Sequence, residues 1–177
     1  MDHNSPLISC KNDIKAFLES KFDYIDIKKS YINEKRDLPL KKTLITISRG
    51  KASVNTIAFS NYLSDQYDEE NNEIVETQAK QLTIYYDLHI WNSTSPKLGG
   101  EEEIERIQEQ LQSIVEFESN AMADKGITFF SFQEGTAVED PDDNNLFHSR
   151  CTLEIKVLWK KEFRFEVMDE IVSHGEI

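Results

Sequence analysis

Asp87 and His89 are the two side chains whose types and spacing best suit chemistry. They stand two residues apart in a run that alternates apolar and polar residues, so on a β-strand both lie on one face. A carboxylate beside an imidazole can act as an acid–base pair or supply two metal ligands. No further ligand accompanies them at a recognisable spacing, and two polar residues on the wetter face of a sheet are the commoner cause of this pattern.

Two glycine- and carboxylate-rich segments also invite a ligand interpretation. The loop Asp140-Pro141-Asp142-Asp143-Asn144-Asn145 is acidic, but it lacks the glycine and the spacing of an EF-hand calcium loop. Gly99-Gly100 precedes a predicted helix, as in a phosphate cradle, but the three glutamates that follow would repel an anion. Neither segment therefore predicts a ligand site.

Known catalytic signatures are missing from the sequence. It contains no nucleophile elbow, Walker loop, HExxH motif or CxxC pair. Cys10 and Cys151 are too few for a disulfide framework and are expected to be small buried side chains. We predict a protein that is not an enzyme and that holds no cofactor and no metal.

The bulk composition fits a single domain, residues 1–177, built around one core. The chain has 177 residues, and its 10 Phe, 6 Tyr and 2 Trp provide large side chains for that core. It has no apolar run long enough to span a membrane, and its first residues lack the basic and apolar blocks of a secretion signal. We expect folding in the cytoplasm and no membrane partner.

Charge is unevenly distributed along the chain, which carries a net charge of -13. Residues 1–51 contain 11 Lys and Arg against 7 Asp and Glu, which gives +4, and residues 52–177 carry the remaining -17. A surface this negative repels a phosphate backbone, so specific nucleic-acid binding is not expected. The polarity suits copies that stack a basic face on an acidic face.

Two amphipathic helices are predicted from the helical period. The first has Asn12 as its N-cap and ends at Phe22. The second runs from Glu101 to Lys125, with Gly126 at its C-terminal end. Its apolar face contains Ile104, Ile107, Leu111, Ile114, Val115 and Met122.

Strands are predicted where β-branched and aromatic residues alternate with polar ones. The strongest pattern is Leu82 to Trp91, in which Leu82, Ile84, Tyr86, Leu88 and Ile90 share one face. The other predicted strands are an extended segment from Tyr24, Thr43 to Ser48 ending at Gly50, Ile127 to Phe132, Cys151 to Trp159 with Trp159 inward, and Phe163 to Val167. Residues 134–145 are predicted to be an acidic loop.

Residues 51–81 fit none of these simple patterns. Apolar residues lead into a stretch with six carboxylates, and a structureless loop of this length is uncommon inside a compact domain. We interpret the segment as a protruding hairpin or arm. The predicted fold class is α+β, a mainly antiparallel sheet packed by two helices, with this long hairpin or arm inserted.

The stretch from Leu82 to Phe117 carries a resemblance to a known family. Its strand Thr83-Ile84-Tyr85-Tyr86-Asp87-Leu88-His89-Ile90-Trp91, a short turn, and Gly99-Gly100 opening an acidic amphipathic helix resemble the tail terminator (tail completion or neck) proteins of tailed bacteriophages. The order of the flanking elements agrees over residues 10–168. The resemblance is one of layout, because this family has no invariant catalytic motif.

The resemblance implies a structural virion protein. Such proteins form a hexameric ring that caps the tail tube, ends its polymerisation and presents a joining surface to the head connector. The implied partners are further copies of the chain, the tail tube protein and head or neck proteins, while DNA passes through the lumen without specific binding. The implied location is the tail or neck of a virion that assembles in the host cytoplasm.

Particular residues are assigned to these surfaces by charge and loop length. The subunit-interface residues would be Ile57, Phe59, Tyr62 and Tyr67, and the acidic lining of the lumen would be Glu139, Asp140, Asp142 and Asp143. The aromatic side chains could equally pack the arm back on its own domain. Open alternatives are a head-completion protein, a small enzyme or ligand-binding domain using Asp87 and His89, and a cytosolic adaptor that masks a basic partner.

Overall fold

The helices and strands follow one another in an order close to that predicted. The structure, a computed structural model, describes residues 6–29, 40–56, 61–140 and 143–167. Its helices are α1 (Pro6–Lys21) and α2 (Gly100–Phe117). Its strands are β1 (Asp26–Lys28), β2 (Leu44–Thr56), β3 (Tyr62–Asp68), β4 (Glu73–Ser93), β5 (Ile127–Gln133), β6 (Val138–Asp140) and β7 (Asp143–Glu166). The predicted α+β class is confirmed.

The strands form a mixed sheet with the order β1–β2–β4–β7–β5. β3 pairs with β4 and β6 pairs with β7, both antiparallel, as do β5 and β7. β1 joins β2 in parallel. By its contacts the chain divides into two units, Met1–Ser53 with Thr83–Val157 and Val54–Leu82 with Leu158–Ile177.

In the first unit, one face of the sheet is covered by both helices. Ile84, Tyr86, Leu88 and Ile90 are fully buried, which confirms the predicted inward face of β4. α1 reaches this face, since the Tyr86 hydroxyl donates to the carbonyl of Leu7 at 3.4 Å. Burying a side chain of this size contributes about 1.5–3 kcal/mol, so this face forms much of the core.

The helix α1 begins earlier than predicted. It starts at Pro6 rather than at Asn12, because proline suits the first turn of a helix, where its missing N–H needs no partner. Its end at Lys21 agrees with the prediction, and Phe22 is buried. The Phe17 ring lies 5.1 Å from that of Phe129, centroid to centroid, which ties α1 to β5.

The helix α2 ends earlier than predicted, at Phe117. The predicted apolar face is correct within the helix, where Ile104, Ile107, Leu111, Ile114 and Val115 are buried. The N–H of Glu118 donates to the carbonyl of Ile114 and closes the last turn. Met122 is also buried but lies beyond the helix, and Gly126, with φ 70°, ends a separate 3-10 turn, Ala123–Lys125.

Three strand predictions need correction. β2 does not end at Gly50 but passes through it, and a Cβ there would lie 3.2 Å from the carbonyl oxygen of Tyr85, so glycine permits close strand contact. Trp159 is not inward, since its side chain is 43% exposed. The segment predicted as an acidic loop contains β6, whose Glu139 pairs with Phe147.

Residues 62–68 and 73–78 form the hairpin predicted within residues 51–81. Tyr67 lies opposite Ile74, and Asp68 lies opposite Glu73. A register shift between Tyr62 and Ser64 bends the start of β3. Protrusion of this hairpin stays a prediction.

Candidate subunit-binding surface

The second unit contains a hairpin whose turn is held by polar contacts. The Arg164 Nη1 of β7 donates to Asp68 Oδ2 at 3.0 Å and to Glu73 Oε2 at 3.1 Å, and so joins β7 to both strands of the hairpin. Asn71 Nδ2 also donates to Asp68 Oδ2 at 2.9 Å. Hydrogen bonds from Asn71, and then from Arg164, hold the pKa of Asp68 below its usual value. The charged form therefore stabilises the turn.

Across these three strands lies one row of exposed apolar side chains. Tyr67 pairs with Ile74, and the N–H of Val167 donates to the carbonyl of Asn72 at 3.1 Å. β7 runs antiparallel to β4 here, so the residue two positions before Val167 lies beside the residue two positions after Asn72. Phe165 is therefore the neighbour of Ile74. Tyr67, Ile74 and Phe165 are 56%, 41% and 51% exposed. We call these three side chains the apolar row.

The second unit exposes further apolar side chains besides the apolar row. Among the described residues these are Val54, Tyr62, Leu63, Leu158 and Trp159. Adjacent exposed apolar side chains such as those of the apolar row are typical of binding surfaces. Covering a half-exposed side chain of the row is worth about 1 kcal/mol, half the value of full burial.

A shallow groove lies on the same face as the apolar row. Every second residue of β7 shares the face of Phe165, which includes Trp159, Lys161 and Phe163. These three residues and Gln78 line a cavity of about 270 Å³. The Lys161 Nζ lies 4.8 Å from the centroid of the Phe163 ring. This volume is below that of most small-molecule pockets, so the groove suits the side chains of a protein partner.

The predicted interface residues are only partly described. Tyr62 and Tyr67 are exposed, at 44% and 56%, whereas Ile57 and Phe59 lie outside the described residues. Ile74 and Phe165 were not predicted as interface residues. The sequence has no local signal for them, because their position beside Tyr67 depends on how β3, β4 and β7 pair.

Asp87 and His89, the predicted chemical pair, each contact a residue of β7. Asp87 Oδ2 accepts a hydrogen bond from Arg150 Nη2 at 2.9 Å, and Asp87 Oδ1 accepts one from Thr152 Oγ1 at 3.4 Å. His89 Nδ1 lies 3.0 Å from His148 Nε2. The carboxylate is thus used in an ion pair between neighbouring strands.

The environment of His89 disfavours its charged form. Burial, and then the nearby Arg150 cation, lower the pKa of His89, while the Asp87 carboxylate acts in the opposite direction. Trp91 stacks on His148 with 3.8 Å between ring centroids. The rings therefore form a packed stack on the sheet.

The predicted lumen residues lie around the β6–β7 turn. Glu139 is exposed in β6, Asp140 ends β6 and Asp143 begins β7. Asp142 lies outside the described residues. Their proposed role in lining a channel stays a prediction.

No group of three or more His, Cys, Asp and Glu within the described ranges is placed to hold a metal ion. Neither described helix is both long and apolar enough to cross a membrane. No protein-family model matches the chain, and no curated protein matches it significantly.

Proposed function

We propose that this chain is a structural virion protein of a tailed bacteriophage, a tail terminator whose copies bind one another in a hexameric ring. The ring caps the tail tube, ends its polymerisation and offers a joining surface to the head connector. DNA passes through the ring without specific binding. The second unit supplies the contact with a neighbouring copy.

The apolar row is the observation that carries the proposal. Tyr67, Ile74 and Phe165 lie side by side on three strands, and each is at least 41% exposed. Burial of such a row against another protein releases its hydration water, which is the main driving force for association. The turn fixed by Arg164 presents the row in one geometry, so little order has to be gained on binding.

The layout and the charge of the chain also support the proposal. A helix, strands, a hairpin, a long strand, a second helix and further strands follow one another, in the order of the family that residues 82–117 resemble. The net charge of -13 disfavours adhesion of DNA to most of the surface. Glu139, Asp140, Asp142 and Asp143 are the proposed acidic residues of the channel.

Self-association provides the first test. Mass photometry and sedimentation of the purified chain over a range of concentrations should detect a six-fold species. The double variant Tyr67→Ser with Phe165→Ser should weaken its formation by at least about tenfold. As a matched control, Phe117→Ser with Phe130→Ser removes two exposed rings outside the second unit and should leave assembly unchanged.

Electron microscopy of phage tails made without this chain tests the biological role. Tubes that grow beyond their normal length support termination. Tails of normal length that fail to join heads would instead indicate a head-completion protein. A chain that stays monomeric at every concentration and ignores tail tubes contradicts the proposal.

A further inference from the structure

A basic cleft opens in the first unit beside the start of α2. Four cations, Lys41, Lys42, Lys97 and Arg106, and one carboxylate, Glu103, line a cavity of about 310 Å³. Arg106 Nη2 donates to Glu103 at 2.7 Å. The three lysines have no acidic partner within the described part of the chain.

An acidic cleft lies on the opposite flank of the same helix. Glu101, Glu105 and Glu109 are four residues apart and therefore share one side of α2, where Glu134 joins them around a cavity of about 370 Å³. None of these four carboxylates forms an ion pair with the residues that the structure describes.

These two clefts have opposite charge and similar size. Each gathers like charges that repel one another, a cost that an oppositely charged partner would relieve. We propose that the acidic cleft of one copy docks on the basic cleft of the next copy, head to tail. This inference rests on the proposed ring, and it names a second contact that closes it.

The partner of the basic cleft is a protein carboxylate surface rather than a nucleic acid. A DNA duplex approaching the three lysines would also meet the field of a chain with a net charge of -13. The acidic cleft is part of the same unit and is present at the same concentration. Self-docking therefore matches the charges without a second kind of molecule.

A contact between two different surfaces of one chain has a geometric consequence. Such a heterologous contact repeats around a circle and closes into a ring, or it continues as a filament when the rotation does not close. Its strength should also depend on ionic strength, because exposed charges are screened by salt. We expect the association constant to fall at least about tenfold between about 50 mM and about 500 mM sodium chloride.

Charge exchange tests the docking. The variant Lys41→Glu with Lys42→Glu removes the net positive charge of the basic cleft. The variant Glu105→Lys with Glu109→Lys removes the net negative charge of the acidic cleft and places two lysines where the first variant has two glutamates. Each variant alone should associate at least about tenfold more weakly than the natural chain. An equimolar mixture should regain assembly as alternating rings, and a chain carrying all four changes should assemble by itself.

Matched controls separate docking from folding and from net charge. Lys28→Glu with Lys29→Glu, and Glu116→Lys with Asp124→Lys, change the same number of exposed charges outside the clefts and should assemble normally. Circular dichroism checks that each variant is folded, and rescue in the mixture shows that both partners are intact.

Each outcome decides the inference. Rings that form equally well in all variants overturn the head-to-tail docking and leave the proposed function standing. A natural chain that never associates overturns both. Unchanged rings together with loss of retention on duplex DNA in the Lys41 and Lys42 variant would assign the basic cleft to DNA instead.

Discussion

The imidazole rings of His89 on β4 and His148 on β7 lie nearly parallel, 5° apart in orientation, with 3.0 Å between Nδ1 of the first and Nε2 of the second. A hydrogen bond at this distance holds one proton between the two nitrogens. A second proton would place two cations in contact, close to the Arg150 cation that already disfavours charge on His89. The contact between the rings therefore disfavours a second positive charge on the pair.

This relationship predicts a pH dependence of stability. Because burial and Arg150 lower the pKa of His89, the unfolded chain binds this proton more readily than the folded protein does. The free energy of unfolding should therefore be highest above about pH 6.5 and fall as the pH decreases below it. Urea unfolding between about pH 7.5 and about pH 5.5 measures this slope, above the range in which most carboxylates titrate.

The variant His89→Gln is the control for this assignment. It keeps a polar side chain on the strand and removes the titrating group, so the slope between these pH values should become shallower. An unchanged slope in the variant would assign the pH dependence to other groups.

We expect position 135 to require glycine for steric reasons. A Cβ at this position would lie 2.0 Å from the carbonyl oxygen of Arg150 and 2.8 Å from Ser149 Oγ, and the carbonyl belongs to a paired strand that cannot move aside. We expect Gly135→Ala to lower the free energy of unfolding by about 3 kcal/mol or more, as measured by urea titration.

Gly126 is the matched comparison for Gly135. Its φ of 70° lies in the left-handed region, which strains a residue that has a Cβ. The variant Gly126→Ala should cost only about 1–2 kcal/mol. Equal losses in the two variants would contradict the steric explanation for Gly135.

The two cysteines should be unreactive in the folded protein. Cys10 and Cys151 are 3% and 0% exposed, and burial raises the pKa of Cys10 to about 11. Burial also raises the pKa of Cys151. Since only the thiolate attacks a disulfide, a chromogenic aryl disulfide should label neither cysteine at about pH 8 until urea unfolds the chain. Rapid labelling of one thiol in the native protein would contradict this expectation.

Much of the fold follows from local periodicity. The alternation in Leu82 to Ile90 identifies the inward face of β4, and the helical period of Ile104 to Val115 identifies the buried face of α2. Both predictions succeed because each element buries one face more completely than the other. The end of α2 was missed because Met122 continues the helical spacing and Gly126 resembles a helix cap, although both belong to the following turn.

The remaining differences have a non-local origin. Alternation places Trp159 on a face of β7, but it does not tell whether any other element covers that face. In the candidate site, Tyr62 and Tyr67 were predicted from their aromatic character, whereas the place of Phe165 beside Ile74 depends on pairing between distant segments. The register of such pairs is not encoded in either segment alone.

The link between α1 and β5 determines when the chain can fold during its synthesis. Asp13 forms an ion pair with Lys125, which lies 112 residues later in the chain. The ring contact between Phe17 and Phe129 spans the same sequence separation. A ribosome needs on the order of ten seconds to add that many residues. Until these residues have been added, the part of the first helix that faces β5 has no native surface to cover it, so a nascent chain would offer it to chaperones.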